Sequence, residues 1–364
     1  MAENPVEDPS AREVREIRIN PIVPAESVLV ATARSMRPKK AEELAPRDTR
    51  KHVETCPFCR GNETKTPPAI LQLPAEGDWQ VRLVPNLYPV LGDDREAPNF
   101  VFGLQQTIDG YGRHEVFIDH PDHGAAIHEW SEAHLGLVFR AYRDRMRALF
   151  ESDPRLKYVL VFKNFGPAAG ASIPHTHSQV IAMPVVPENV GAEVTNSAEY
   201  YTRHHQCIFC ALIGEALTFE ATIYDRASGE VRRKVNVGQY VVERGEKFIA
   251  IKPFASRYEW EVHILPLTHQ SDYLAVGEAD LADLARVVRR TMARLDAVIG
   301  GAQYNFFLHS APHDGKEHGA SYHWHLEICP RTSIPTGFEL GSGLFVNTIS
   351  PELAAERLRN VVLE

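Results

Sequence analysis

The sequence lacks the features that would place a protein in a membrane, in the secretory pathway or on nucleic acid. None of its apolar runs reaches the roughly 18 residues that span a bilayer. The N-terminal stretch MAENPVEDPSAREVREIRIN has no apolar core of the kind that secretory signals carry. Basic residues are fewer than acidic ones, and the formal net charge is −9. We therefore expect a cytoplasmic protein with neither a membrane nor a nucleic-acid partner.

Cysteine is scarce, with five in 364 residues, and four of the five stand in two C-x-x-C pairs. Cys56 and Cys59 form the first pair (CPFC), and Cys207 and Cys210 form the second (CIFC). A reducing compartment disfavours disulfides, so the pairs indicate zinc or redox chemistry. Redox pairs usually occur once, beside a βαβ pattern that is not seen here, so zinc is the preferred interpretation. Cys329 stands alone and is expected in the core.

The motifs of the first half recur in the same order in the second. Each C-x-x-C pair is followed by a strand-like segment, a histidine, and then G-A-S and H-x-H (GASIPHTH and GASYHWH). Equivalent positions lie 146 to 151 residues apart. Four ordered matches at nearly constant spacing indicate a duplicated unit. We divide the chain into residues 1–190 and residues 191–364.

Each half combines short strand patterns with one long helix pattern. HEVFID and KYVLVFKN in the first half, and EVHILPL and YNFFLHS in the second, are typical of strands. Apolar spacings of three and four predict helices over 122–152 and 278–299. The order predicts an α+β fold of two fused halves, with mainly antiparallel sheets and helices packed to one side. The stretch PVVPENVGAEVTNSAEYYTRHHQ links the halves.

The repeat selects a histidine partner set for each cysteine pair. Two tetrahedral zinc sites are predicted, and four protein ligands in each leave no position for a catalytic water. The first site consists of Cys56, Cys59, His123 and His175, and the second of Cys207, Cys210, His269 and His323. His114 is an alternative to His123, and His263 is an alternative to His269.

The two histidines of the first H-x-H motif are predicted to have different roles. In a strand, His175 and His177 would face the same side. If His175 binds the metal, His177 stays free to attack phosphorus as a neutral imidazole and to carry a nucleotidyl group covalently. Ser172, Gln179 and Asn164 are neutral hydrogen-bond donors nearby in sequence, which suits phosphoryl oxygens.

The second H-x-H motif differs at one position that matters for phosphate. Glu327 stands where the first half has Gln179, and a carboxylate there would repel a phosphate. We therefore expect the nucleophile in the first half only, with His325 serving a structural or second-site role.

Together these motifs resemble the galactose-1-phosphate uridylyltransferase family, a two-repeat branch of the histidine-triad superfamily. The resemblance rests on CPFC, PNLYPVL, HPDH and GASIPHTHSQ, and it covers nearly the whole chain. It implies that His177 is the nucleophile, that His175 is a zinc ligand, and that Gln179, Ser172 and Asn164 contact the transferred phosphoryl group.

The resemblance also implies contacts with the substrates. Arg34 and Arg37 match arginines near the nucleotide and its phosphates, and Asn86 matches a nucleotide-contacting asparagine. Phe338 and Glu339 match a hexose-contacting segment that, in this family, reaches into the partner's active site. A homodimer that binds a nucleotide sugar and a sugar 1-phosphate is therefore implied.

The reaction implied is ping-pong transfer of UMP from UDP-glucose to galactose 1-phosphate. The best-known bacterial form reads P-H-P-H-G-Q and lacks a second C-x-x-C pair, whereas this chain reads PHTHSQ and has two pairs. In these respects it is more similar to archaeal and actinobacterial-type members and to plant ADP-glucose phosphorylase. ADP-glucose with inorganic phosphate as acceptor is the second hypothesis. A zinc-scaffolded nucleic-acid module and a histidine-triad hydrolase are further alternatives.

Overall fold

The computed structural model describes residues 14–36, 47–94 and 99–363. The strands in these ranges are β1 (Arg15–Arg18), β2 (Val28–Ala31), β3 (Leu71–Leu73), β4 (Val81–Pro85), β5 (Asn99–Phe102), β6 (Gln105–Ile108), β7 (Arg113–Ile118), β8 (Tyr158–Phe165), β9 (His177–Met183), β10 (Glu220–Tyr224), β11 (Val231–Asn236), β12 (Val241–Arg244), β13 (Phe248–Ile251), β14 (Val262–Pro266), β15 (Tyr304–His309), β16 (His325–Pro330) and β17 (Phe345–Asn347). The helices are α1 (Glu132–Ser152), α2 (Glu188–His204), α3 (Ile208–Thr218), α4 (Glu278–Ile299), α5 (Gly337–Ser342) and α6 (Pro351–Arg359).

Ten strands form one continuous sheet that runs through both halves. Their order is β12-β13-β14-β16-β15-β8-β9-β7-β4-β3, and all neighbours pair antiparallel. Each half contributes five strands in the same outward order, and β8 meets β15 at the centre, where Phe162 pairs with Phe307. The predicted α+β fold of two fused, mainly antiparallel halves is confirmed. The boundary at residue 190 falls within α2 and stays a prediction.

Two long amphipathic helices, one from each half, cover one face of this sheet. α1 and α4 pack against each other and bury apolar side chains such as Leu135 and Leu284. α4 has the predicted bounds, whereas α1 begins ten residues later than predicted. The reason is local, because Ser131 accepts a hydrogen bond from the His134 amide (3.1 Å) and caps the helix there.

The side-chain alternation of the strands separates the sheet into a helix-covered face and an opposite face. In β9, Ser178 bonds to Tyr142 of α1, so its neighbours His177 and Gln179 point to the opposite face. α2 and α3 lie on that opposite face in the second half, where Glu193 and Phe209 contact histidines of the sheet. The H-x-H motifs therefore share one face, and α2 and α3 cover this face at the second motif.

The N-terminal strands pack on the C-terminal half. β1 pairs with β2, and β17 joins β2 in parallel. Arg18 is buried and bonds to the carboxylate of Glu352 in α6 (2.9 Å). Among the helices of the described ranges, none has both the length and the apolarity required to cross a membrane.

Candidate active site

Four buried side chains from distant parts of the chain meet beside the first H-x-H motif. The Cys59 Sγ lies 3.5 Å from the Nδ1 atoms of both His123 and His175, and the Cys56 Sγ lies 3.7 Å from His175 Nδ1. Tetrahedral zinc, with bonds of about 2.3 Å to sulfur and 2.0–2.1 Å to nitrogen, would separate sulfur from nitrogen by about 3.6 Å. The cluster therefore has the spacing of a closed metal site.

Further contacts orient these ligands. The His175 Nε2 donates to the His120 carbonyl (2.8 Å), so its Nδ1 presents a lone pair to the cysteines. The His123 Nε2 lies 3.3 Å from the carboxylate of Asp48. Burial raises the pKa of Cys59 to about 11, so a thiolate at this position needs a cation. The donor set and its surroundings therefore fit a bound metal ion.

The second C-x-x-C pair forms a matching but more open cluster. The Cys210 Sγ lies 3.3 Å from His269 Nδ1 and 3.5 Å from His323 Nδ1, with Cys207 as the fourth member. His323 and His269 donate through Nε2 to the carbonyls of Pro266 (2.9 Å) and Gly319 (2.7 Å). His269 is exposed, whereas all four members of the first cluster are buried. Either cluster could hold a metal ion.

His177 is held in a tautomer that suits a nucleophile. Its Nδ1 lies 2.7 Å from the His175 carbonyl, and because a carbonyl can only accept, Nδ1 carries the hydrogen. The lone pair is therefore on Nε2. Burial, assisted by the charge of Lys163, lowers the pKa of His177, so the ring is neutral at pH 7. β9 begins at His177, and His175 lies just before the strand rather than within it as expected.

Gln179 shares the face of His177 and contacts two further polar side chains. The His114 Nε2 lies 2.8 Å from Gln179 Oε1 and 3.1 Å from Asn86 Nδ2. His114, the alternative metal ligand, therefore lies beside Gln179 and outside the first metal cluster. A cavity of 290 Å³, lined by Asn86, His114 and Arg113 among others, opens next to this group.

Asn164 and Ser172 lie in β8 and in the loop before β9. Asn164 lies two residues from Phe162, which pairs with Gln179, so its side chain faces the same side as Gln179 and His177. Its Oδ1 is 2.8 Å from Asn305 Nδ2. Ser172 is exposed in the loop that follows a left-handed Gly170.

A buried polar network lies beneath β9 and was not predicted from the sequence. The Lys163 Nζ donates to the His177 carbonyl (3.0 Å) and pairs with the Asp119 carboxylate (2.8 Å). Asp119 also accepts from Ser178 (2.6 Å) and Tyr142 (2.9 Å). Lys163 and Asp119 are fully buried. In the sequence, each of the two is a charged residue in or next to an apolar strand pattern: Lys163 in FKN and Asp119 in FID.

The remaining predicted substrate residues do not lie in the ten-stranded sheet. Arg34 follows β2, and Phe338 and Glu339 lie in α5, just before the strand β17 that pairs with β2. The parallel pairing of β17 with β2 brings these two segments together. Burial would raise the pKa of Glu339, but hydrogen bonds from Thr336 outweigh it and lower this pKa, assisted by the charge of Arg34. Glu339 caps α5 by accepting from Thr336, and Phe338 is 51% exposed. Arg37 lies outside the described residues.

In the second half, carboxylates lie near His325, whereas side-chain amides share the face of the sheet with His177. Its Nε2 lies 3.5 Å from Glu327 and 3.8 Å from Glu193. Glu193 also bonds to His309 (3.1 Å), and Arg257 lies 3.5 Å from Glu327. His263, the alternative ligand, bonds to Glu261 instead of the second metal cluster (2.9 Å). Carboxylates at these positions would repel a phosphate, and the placement of the nucleophile in the first half only stays a prediction.

Comparison with known proteins identifies the family of the chain. The family model described as galactose-1-phosphate uridyl transferase, N-terminal domain, matches residues 6–187. The chain belongs to this family. As a member of the galactose-1-phosphate uridyl transferase family it is an enzyme, and the resemblance found in the sequence is confirmed.

Relatives within the family carry two different names. An ADP-glucose phosphorylase of Arabidopsis thaliana is 29% identical over 352 residues, 96% of this chain and 93% of that protein. A galactose-1-phosphate uridylyltransferase of Thermotoga maritima is 27% identical over 96% of this chain and 99% of that protein. The crystal structure of an Arabidopsis thaliana ADP-glucose phosphorylase with bound ADP-glucose covers 97% of this chain and 100% of that one, with 27% identity and a TM-score of 0.80. A uridylyltransferase structure covers 94% and 97%, with 26% identity and a TM-score of 0.68.

Proposed function

We propose that the protein transfers a nucleoside monophosphate from a nucleotide sugar to an acceptor phosphate through a covalent intermediate on His177. The observation that carries the proposal is the hydrogen bond from His177 Nδ1 to the His175 carbonyl (2.7 Å), which leaves the Nε2 lone pair available. The membership of the family and the neutral ring support the same role.

The transfer proceeds in two displacements at one phosphorus atom. The His177 Nε2 forms a bond to the α-phosphorus of the nucleotide sugar, and the bond to the bridging oxygen breaks and releases a sugar 1-phosphate. A phosphate oxygen of the acceptor then attacks the same phosphorus, and the bond to Nε2 breaks. Gln179, Asn164 and Ser172 donate hydrogen bonds to the phosphoryl oxygens, whose charge rises during each displacement.

The first candidate reaction takes UMP from UDP-glucose to galactose 1-phosphate. The family model and the relatives named galactose-1-phosphate uridylyltransferase support it. The second candidate takes AMP from ADP-glucose to inorganic phosphate, and the 29% identical Arabidopsis thaliana protein and its ADP-glucose complex support it. Both candidates use the same histidine.

Zinc is the metal that we propose for the two cysteine–histidine clusters. Each set combines two thiols with two imidazole Nδ1 atoms that point inward. Bound zinc would hold the chain just before β9 and so fix the strand that carries His177. Metal analysis of the purified protein should find two zinc ions per chain, and Cys59→Ser and Cys210→Ser should each remove one.

A homodimer would complete the substrate site. Arg34, Phe338 and Glu339 lie together in segments outside the sheet that holds His177, and Phe338 offers its ring to solvent. We propose that a second copy brings these residues to His177. Mixing inactive His177→Gly with inactive Phe338→Ala should restore part of the activity, because mixed dimers would contain one intact site.

Intact-mass analysis after mixing with each nucleotide sugar tests the proposed chemistry. UDP-glucose should add one UMP residue and release glucose 1-phosphate, whereas labelling by ADP-glucose alone would replace the first candidate by the second. His177→Gly should form no adduct with either compound. An adduct that survives this substitution would disprove the covalent step on His177.

A further inference from the structure

We propose that His114 and Asn305 are positioning residues that fix two carboxamides, Gln179 and Asn164, with their amide hydrogens directed at the transferred phosphoryl group. This inference rests on the proposed function of the His177 site. It assigns a role to two side chains that do not touch the reacting atoms, and one of them comes from the second half of the chain.

The orientation of Gln179 follows from the tautomer of His114. The Val90 amide lies 3.2 Å from His114 Nδ1, and because a backbone N–H can only donate, Nδ1 must accept. The hydrogen is therefore on Nε2, which donates to the Gln179 side chain at 2.8 Å and cannot also accept from the Asn86 Nδ2 at 3.1 Å. The atom of Gln179 that faces Nε2 must be the oxygen, and its amide nitrogen is turned away from His114.

The orientation of Asn164 follows from a separate chain of contacts. Asn305 Nδ2 lies 2.8 Å from the Ala169 carbonyl, and a carbonyl can only accept, so this atom of Asn305 must be the nitrogen. The same nitrogen lies 2.8 Å from the Asn164 side chain. The facing atom of Asn164 is therefore its oxygen, which leaves its amide hydrogens for another partner.

The two amide groups belong to the same face as the nucleophile. Gln179 pairs with Phe162 across β9 and β8, and Asn164 pairs with Asn305 across β8 and β15. Alternation places Gln179, Asn164 and His177 on one side of the sheet. Two donors with fixed orientation therefore flank the position where a nucleotidyl group on His177 would lie.

The orientation matters because a carboxamide presents either donors or an acceptor. Turned over, it would direct an oxygen at the phosphoryl oxygens and repel them. Loss of one preorganised donor to developing negative charge typically costs about 10²–10³-fold in rate. Anchoring the amide oxygens before substrate binds removes the wrong orientation in advance.

The decisive variant is Asn305→Asp. An aspartate is nearly isosteric but can only accept, so Asn164 should turn over and point its oxygen at the phosphate. Gln303→Glu is the matched control, because it adds the same charge two residues away on the chain and can still accept from the Ala168 amide (2.7 Å). Single-turnover adduct formation should slow about 10²-fold in Asn305→Asp and less than about 10-fold in Gln303→Glu.

A binding measurement separates this inference from the covalent mechanism. In calorimetric titrations, Asn305→Asp should weaken binding of the nucleoside monophosphate that labels the enzyme, and not binding of the corresponding nucleoside. His114→Phe should act in the same direction without adding charge. If neither nucleotide sugar labels the wild-type protein, AMP with adenosine and UMP with uridine are compared instead.

The possible results distinguish the two proposals. No adduct with wild-type protein would overturn the covalent function, while the titrations would still test the orientation of the amides. Equal losses of rate in Asn305→Asp and Gln303→Glu would overturn the inference, and so would equal weakening of nucleotide and nucleoside. Selective loss of phosphate binding in both Asn305→Asp and His114→Phe, with unchanged melting temperatures, would support it.

Discussion

The second histidine of each H-x-H motif begins a strand and is held by the same two contacts. His177 and His325 both donate through Nδ1 to the carbonyl two residues earlier, at 2.7 and 3.1 Å. The phenylalanine of the nearby C-x-x-C pair packs on each ring, Phe58 at 5.4 Å and Phe209 at 5.1 Å between centroids. The duplicated framework therefore sets the orientation of both rings in the same way.

The environments of the two Nε2 atoms differ. In the second half, carboxylates of Glu193 and Glu327 lie within 3.8 Å of the ring nitrogen. In the first half, Gln179 stands in place of Glu327, and its oxygen faces His114, so its amide nitrogen is turned away from that ring. The duplicated framework therefore fixes the same tautomer in both rings, and the two sites differ in the charge that their neighbouring side chains would present to a phosphate.

The largest expected difference between the halves is in the covalent step. His177→Gly should reduce adduct formation by at least about 10⁴-fold, because no other group supplies the nucleophile. His325→Gly should form the adduct at close to the wild-type rate. Both are measured by intact mass after single turnover. Labelling that depends equally on both histidines would show that the two halves do not differ in the covalent step.

The next difference concerns the helix-facing side of the strands. Lys163→Leu should destabilise the protein by about 3–5 kcal/mol, because Asp119 would remain as an uncompensated buried charge. The second half has the apolar Leu308 at the position that matches Lys163, because Phe307 and Phe162 pair with the equivalent residues Glu327 and Gln179. Adding Asp119→Asn removes the remaining buried charge and should recover most of the loss, as measured by urea unfolding. If the double variant is as unstable as the sum of the single variants, the pair is not acting as a unit.

Exchanging the residue that distinguishes the two motifs gives a smaller effect. Gln179→Glu places in the first half the carboxylate of the second, and adduct formation should fall about 10²-fold through loss of a donor and repulsion of phosphate. Glu327→Gln is the reciprocal control, and it should leave the rate unchanged. A rate in Gln179→Glu equal to that of the wild type would show that Gln179 does not contact the phosphoryl group.

The smallest expected effects are in the response to pH. They differ between the halves because the pKa of His177 is lowered and that of His309 is raised. The pKa of His177 is lowered from 6.5 by burial, so adduct formation should stay constant down to pH 6.5 and decline only below it. Burial alone would lower the pKa of His309, but the carboxylate of Glu193 outweighs it and raises this pKa to about 9.

For stability, the raised pKa of His309 gives a contribution that is complete below pH 6.5 and lost as the pH rises through about 9. Glu193→Gln should flatten this part of the curve of melting temperature against pH. An unchanged slope between pH 6.5 and 9 in this variant would contradict the ion pair.

The fold was predictable from the sequence because duplication repeats its signals. The spacing of CPFC and CIFC, of the two G-A-S-…-H-x-H segments and of the long amphipathic helices each identified equivalent elements. The start of α1 was predicted ten residues early, because the apolar pattern extends into the turn that precedes Ser131. The periodicity of apolar residues indicates which residues are buried, whereas the capping residue determines where the helix begins.

The metal clusters were also visible as a pattern, since cysteine pairs and repeated histidines are rare. The contacts of Lys163, Asp119, His114 and Asn305 were not. Each depends on the register between strands that are distant in sequence, such as the pairing of β8 with β15. A single sequence contains the residue types but not the alignment that brings Asn305 to Asn164.

The central pairing of β8 with β15 also bears on how such a protein can change over evolutionary time. Two separate copies of one half, joined at this strand, would have to carry identical sites, because any substitution would appear twice. In a single chain, each site can accept substitutions alone. One H-x-H strand could thus acquire carboxylates while the other kept its amides, and the half with the carboxylates could supply Asn305 to the half that contains His177.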